Sequence, residues 1–150
     1  MCQSLKTVLD NSAFLDGDWC WDMHPFQVNK ETKEIVIENI CFLLNNFIRC
    51  SVFKNVIFCW VMDRQEIIDS IASRLDLSAC RMYSVSLVCS PETLKKRLHG
   101  DIEKQLRTSD IIARSLERLP HYEQLDTVKI DVSDKNVGQI VNEILNLKKI

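Results

Sequence analysis

Two aspartates separated by a single glycine, Asp16-Gly17-Asp18, end a short apolar run and are followed by Trp19 and Trp21. Carboxylates so placed can take a proton from a hydroxyl group or ligate a cation. Their natural position is the carboxyl end of a strand, where an open α/β sheet presents polar groups to ligands. If the strand continues, the two acids share one side; if the chain turns at Gly17, they fan apart. The same residues also fit a plain Asp-Gly turn, in which aspartate bonds its own backbone. Trp19, Trp21 and His24 are of the aromatic and polar types that line small-ligand pockets, although tryptophan beside a strand end also serves packing.

A second set is basic. Arg107, Arg114 and Arg118 are spaced by seven and four residues, which puts them on one face if one helix carries them all. Guanidinium groups on such a segment suit a clamp on a transferring phosphate, because they stay charged and pair with oxyanions through a fork of donors. Asp101, Glu103, Asp110 and Glu117 are interleaved with them, so the stretch also reads as a solvated, ion-paired helix. Asp63 follows the apolar run 56–62 and suits either a magnesium ligand or a helix cap, the cap being the expected role. His121 reads as a surface residue, and no Ser-His-Asp or Cys-His spacing is present.

Elements must position these groups. The first ten residues read as the tail of a helix from the spacing of Leu5, Val8 and Leu9, 13–16 form a short strand, and Asn29 or Thr32 caps a helix running to about Arg49. The continuous apolar run 56–62 predicts a strand buried on both faces of a parallel sheet. A helix over 65–75, a strand over 82–89 and a helix opened by Ser90-Pro91 follow. The chain closes with a strand over 127–132 and a helix over 137–147. Strands alternating with amphipathic helices predict a parallel α/β sheet. No repeat or linker divides it, so a single domain over 1–150 is expected.

Composition narrows the function. A length of 150 residues suffices for a real core, and a formal charge of -2 disfavours nucleic acid and acidic membranes as partners. No apolar run reaches membrane-spanning length, and the start of the chain lacks signal-peptide character, so a cytoplasmic protein is expected. The 7 cysteines include no CxxC pair and read as reduced thiols, with Cys41, Cys59 and Cys89 as small buried hydrophobes.

Four blocks in order resemble the P-loop small-molecule kinases, the group of gluconate kinase, shikimate kinase and chloramphenicol phosphotransferase. They are FLDGDWCWDMHP (14–25), SLVCSPETLKKRL (86–98), RTSDIIARSLERLPHYEQLD (107–126) and KIDVS (129–133). The resemblance implies a three-layer α/β fold, a parallel sheet flanked by helices, with a lid-like segment at about 98–122. It implies an ATP-dependent phosphotransferase acting on a small hydroxyl-containing molecule, with ATP and Mg2+ as cofactors. Asp18 would sit near the acceptor hydroxyl or the metal with Asp16 in support. Arg107 and Arg114 would act from the lid, Arg118 would assist, and Asp131 to Ser133 would border the adenine. The first strand and the phosphate loop G-x-x-x-x-G-K-[ST] are missing: glycines stand only at 17, 100 and 138, and none precedes a lysine. The missing strand belongs centrally, between the strands at 56–62 and 82–89. The expectation is therefore a truncated kinase, nearly inactive as it stands, whose open strand edges favour a homodimer. A non-catalytic nucleotide-binding or regulatory module on the same scaffold is the competing expectation, and a thiol-dependent protein a third.

Overall fold

The computed structural model describes residues 1–147. They fall into two compact units, Met1–Met82 and a second from Tyr83 onwards.

The first unit holds α1 (Cys2–Val8), β1 (Ser12–Asp16), a 3-10 turn (Gly17–Trp21), α2 (Lys30–Arg49), β2 (Asn55–Cys59) and α3 (Gln65–Ala72). Strands β1 and β2 run parallel, with Ser12 opposite Asn55 and Asp16 opposite Cys59. Leu15 packs with Val36, Ile40, Cys41 and Leu44 of α2 and Ile71 of α3, joined by the partly buried Val56, Phe58 and Trp60. Because strand side chains alternate, Phe14, Asp16, Ile57 and Cys59 belong to the opposite face.

Helix α2 starts where the sequence places it, and its two candidate caps act together. Asn29 Oδ1 accepts from the Thr32 amide at 2.9 Å, while Thr32 Oγ1 accepts from the Asn29 amide at 3.0 Å. Its far end is tied to the exit of α3: the Asn45 side chain donates to the Arg74 carbonyl and accepts from the Asp76 amide, both at 2.9 Å. The run 56–62 is a strand only over its first part, and within β2 only Ile57 is buried. Both faces are nonetheless covered, Ile57 being buried on one while Val56 and Phe58 pack, partly buried, against the α2 core on the other. Strand β2 has β1 as its one strand neighbour among the described residues, so its ladder is not extended on the other side.

The second unit holds β3 (Val85–Val88), α4 (Pro91–Glu103), α5 (Ile111–Glu123), β4 (Val128–Asp131) and α6 (Val137–Leu147). Strands β3 and β4 are parallel, Val85 opposite Val128 and Val88 opposite Asp131. Leu98, Leu125, Ile130, Val132, Ile140 and Val141 are its buried apolar residues. The buried Ser86 is satisfied by Thr127, hydroxyl to hydroxyl at 2.7 Å. Ser90 caps α4 by accepting from the Thr93 amide at 3.2 Å, with Pro91 in the first turn, as the sequence predicts.

The mixed α/β class with parallel strands is what the alternating pattern predicts. Its strands form two separate parallel pairs among the described residues. Strands β2 and β3, which the resemblance sets on either side of a central strand, each have one strand neighbour. No helix among the described residues is long and apolar enough to cross a membrane.

Candidate active site

At Asp16 the extended backbone ends and the chain winds into the 3-10 turn. Asp16 Oδ1 accepts from the Asp18 amide at 3.1 Å. Of the two geometries open to the pair, the turn is adopted, and Asp16 spends one oxygen fixing it. Asp18 is exposed, and its carboxylate takes no hydrogen bond or ion pair among the described residues. The corner thus separates the acids into a structural one and a free one.

Gly17 is buried because Trp60, just past β2, packs onto it. A β-carbon at position 17 would lie 2.4 Å from Trp60 Cγ and 2.9 Å from Trp60 Cβ. Both are near the root of the side chain and cannot swing away, so the corner requires glycine on steric grounds. Trp60 escapes sequence reading, since only the strand pairing brings it to Gly17.

The tryptophans divide in role. Trp21 is partly buried against the α2 core and meets the exposed Phe26 at a centroid distance of 5.8 Å. Trp19 is 59% exposed and stands edge-on to Phe14 at 5.5 Å. His24 is exposed and precedes Pro25 through a cis peptide. The surface of this turn and the segment after it therefore carries the carboxylates of Asp18 and Asp22, an exposed indole, an imidazole and a phenyl ring.

Asp63 does not cap α3. The N-cap is Arg64, which makes no side-chain capping bond, so the expected role of Asp63 is corrected. No group of three or more His, Cys, Asp or Glu among the described residues is arranged to hold a metal ion. The thiols also differ from expectation: Cys41 is buried, but Cys59 and Cys89 are only partly so.

In the second unit the arginine stripe is not carried by one helix. Helix α4 ends at Glu103 and α5 begins at Ile111, leaving Arg107 in the connection and Arg114 and Arg118 on α5. The stop is a backbone motif. Gln105 has φ of 58°, its amide donates to Ile102 O at 2.8 Å, and the Leu106 amide donates to Asp101 O at 2.9 Å. These are the two reverse bonds that close a helix around a left-handed residue, usually glycine. Arg107 Nε lies 3.8 Å from Asp101 Oδ2, and Arg114 Nη2 lies 2.8 Å from Asp110 Oδ2. The Thr108 hydroxyl bonds Asp110 and, with Arg114, holds its carboxyl below the usual carboxylate range. Gln105, Leu106, Arg107, Thr108 and Arg114 line an open depression of about 500 Å³. Its cations are already matched by carboxylates, in solvent-exposed pairs that water and salt screen.

Asp131 and Ser133 shape the turn after β4. Asp131 Oδ1 accepts from the Ser133 amide at 2.8 Å, and Ser133 Oγ accepts from the Ser90 amide at 2.9 Å. Arg97 Nη2 donates to the Val132 carbonyl at 2.6 Å. The hydrogen bonds from Ser133 hold the Asp131 carboxyl below its ordinary range.

No family model matches the sequence, and no curated protein matches it. Among solved structures, the chain is similar to the tunicamycin resistance protein of Deinococcus radiodurans, with a TM-score of 0.68 at 14% identity. The similarity covers 93% of this chain and 84% of that one. At this identity the likeness is one of fold: a mixed α/β chain with short parallel strands and flanking helices.

Proposed function

We propose that the chain carries the scaffold of an ATP-dependent phosphotransferase acting on a small hydroxyl-containing molecule, with Asp18 taking the hydroxyl proton. The observation that carries this reading is the corner at the carboxyl end of β1, where Asp16 is bound to its own turn and Asp18 is left free. An uncommitted carboxylate beside exposed aromatic groups suits general-base work on a neutral acceptor. The similarity in fold to a solved resistance protein and the kinase-like order of blocks support it.

Each residue then has a task. Asp16 and Gly17, with Trp60 against the glycine, hold the corner rigid. Trp19, Phe26 and His24 form the acceptor side, while Trp21 anchors the turn from below. Arg107 and Arg114 would exchange their aspartate partners for phosphoryl oxygens, with Arg118 in support. The turn from Asp131 to Ser133 would border the base of the nucleotide.

ATP would supply the phosphoryl group, but the residues present do not build a cradle for its phosphates, since no glycine precedes a lysine. The donors near Asp18 and Asp63 are likewise too few to hold Mg2+ without oxygen ligands from elsewhere. Transfer by these 150 residues alone is therefore expected to be slow. A non-catalytic binding module is the second reading, favoured by the carboxylates already paired with Arg107 and Arg114.

Both readings meet in one assay: transfer of labelled phosphate from ATP to a panel of small hydroxyl compounds, tunicamycin among them. Under the first reading Asp18→Asn lowers turnover by at least ~100-fold, the usual scale of general-base loss, with acceptor binding unchanged. Turnover equal in both proteins removes Asp18 from the chemistry. Acceptor binding without any turnover supports the non-catalytic module.

A further inference from the structure

Two thiols lie beside this corner and take no part in the proposed chemistry. Cys2 is the first residue of α1, and Cys59 is the last of β2, opposite Asp16 in the ladder. Helix α1 packs on both strands of the pair, which brings residues 57 positions apart in sequence together. The two thiol groups interact with each other, both are partly exposed, and both are free. Of the cysteines, this couple combines a mutual interaction with partial exposure of both members, which gives an oxidant a route.

We infer that Cys2 and Cys59 form a redox-active dithiol, which a small disulfide such as glutathione disulfide converts to an intramolecular disulfide. The Cys2 thiolate attacks one sulfur of the oxidant, forming a mixed disulfide and releasing one glutathione thiolate. Cys59 then loses its proton and attacks the Cys2 sulfur, closing the Cys2–Cys59 bond and releasing the second glutathione. Two protein thiols and one oxidant disulfide become one protein disulfide and two glutathione thiols.

The order of attack follows from the environment. The neighbouring Cys59 thiol brings the Cys2 pKa down to about 7. Its Cys2 neighbour, burial and the nearby negative charges push Cys59 up, so it stays protonated as the resolving partner. A thiolate is the attacking species, but its nucleophilicity falls with its basicity. Setting the larger thiolate fraction against that loss leaves Cys2 about three- to sixfold faster than an ordinary exposed cysteine at neutral pH. The bond would join the start of α1 to the strand end beside Asp16, independently of what Asp18 does.

The test treats the full chain with glutathione disulfide, quenches with acid, and maps peptides without reduction. A Cys2–Cys59 cross-linked peptide is expected as the main product. Cys59→Ser should instead hold glutathione on Cys2, because the resolving thiol is gone, and Cys2→Ser should yield neither product. In parallel, the pH midpoint for iodoacetamide labelling of Cys2 should lie near 7 and move upward in Cys59→Ala, which leaves no donor at that position. Modification of the exposed Cys80 with no Cys2–Cys59 peptide overturns the inference. So does a labelling midpoint for Cys2 that Cys59→Ala leaves in place.

Discussion

At the scale of the residue, the corner rests on a division of labour between two neighbouring acids. Asp16→Ala removes the acceptor for the Asp18 amide and should cost ~1 kcal/mol, the usual value of such a cap. Asp16→Asn keeps an oxygen in place and should cost much less; equal losses in urea denaturation would show that the turn does not depend on this bond. Gly17→Ala should be worse, because the added carbon meets the root of Trp60 rather than a mobile tip. Overpacking of this kind costs ~1–3 kcal/mol, and the displaced Trp60 should also change the intrinsic fluorescence. An unaltered stability would mean that Trp60 moves freely. The Asp-Gly-Asp spacing was legible in the sequence, and so was the turn that Asp16 makes. The seat of Trp60 and the meeting of Cys2 with Cys59 were not, since both depend on packing between segments far apart in sequence.

At the scale of the element, local chemistry announced the helix starts and concealed one helix end. Asn29 and Thr32, and Ser90 with Pro91, are short-range signals read correctly because the cap and its partner lie within one turn. The arginine stripe failed for the opposite reason. Helix α4 closes on Gln105, a residue with no special liking for positive φ, so nothing in the sequence marked the break between Arg107 and Arg114. Gln105→Gly should relieve that conformation and stabilise the chain by ~0.5–1 kcal/mol, read as a higher thermal midpoint; a fall would show that the side chain compensates. The turn after β4 predicts a pH dependence. The Asp131 carboxyl is held below its ordinary value by Ser133, so its contribution is present above the unfolded-state pKa. It is lost as pH falls through the depressed folded value. The stability gap between the wild type and Asp131→Asn should therefore narrow on acidification, and a gap that widens would reverse the assignment.

At the scale of the whole molecule, alternating strands and amphipathic helices made the parallel α/β class legible, because each period is written locally in the sequence. The pairing of strands was less so: β2 reads as an interior strand from its apolar run, and β3 only through the resemblance, yet each has one strand neighbour among the described residues. Apolar content reports how much a strand buries, and helices packed on the pair, as α1 and α2 are on β1 and β2, can satisfy it without a second ladder. In the first unit that burial centres on Val36 and Ile40, both at 0% exposure. Ile40→Ala should remove ~2–5 kcal/mol in denaturant unfolding, while a loss below the range for a single methylene would mean that the core relaxes around the cavity. The central claim is that the corner after β1 receives a small hydroxyl compound. Amide and indole chemical shifts of isotopically labelled protein, titrated with members of the acceptor panel, test it most directly. A bound acceptor should shift Gly17, Asp18 and the Trp19 indole, and Asp18→Asn should leave the affinity read from the Gly17 and Trp19 shifts unchanged. A ligand that binds yet moves only residues around Arg107 and Arg114 would contradict it.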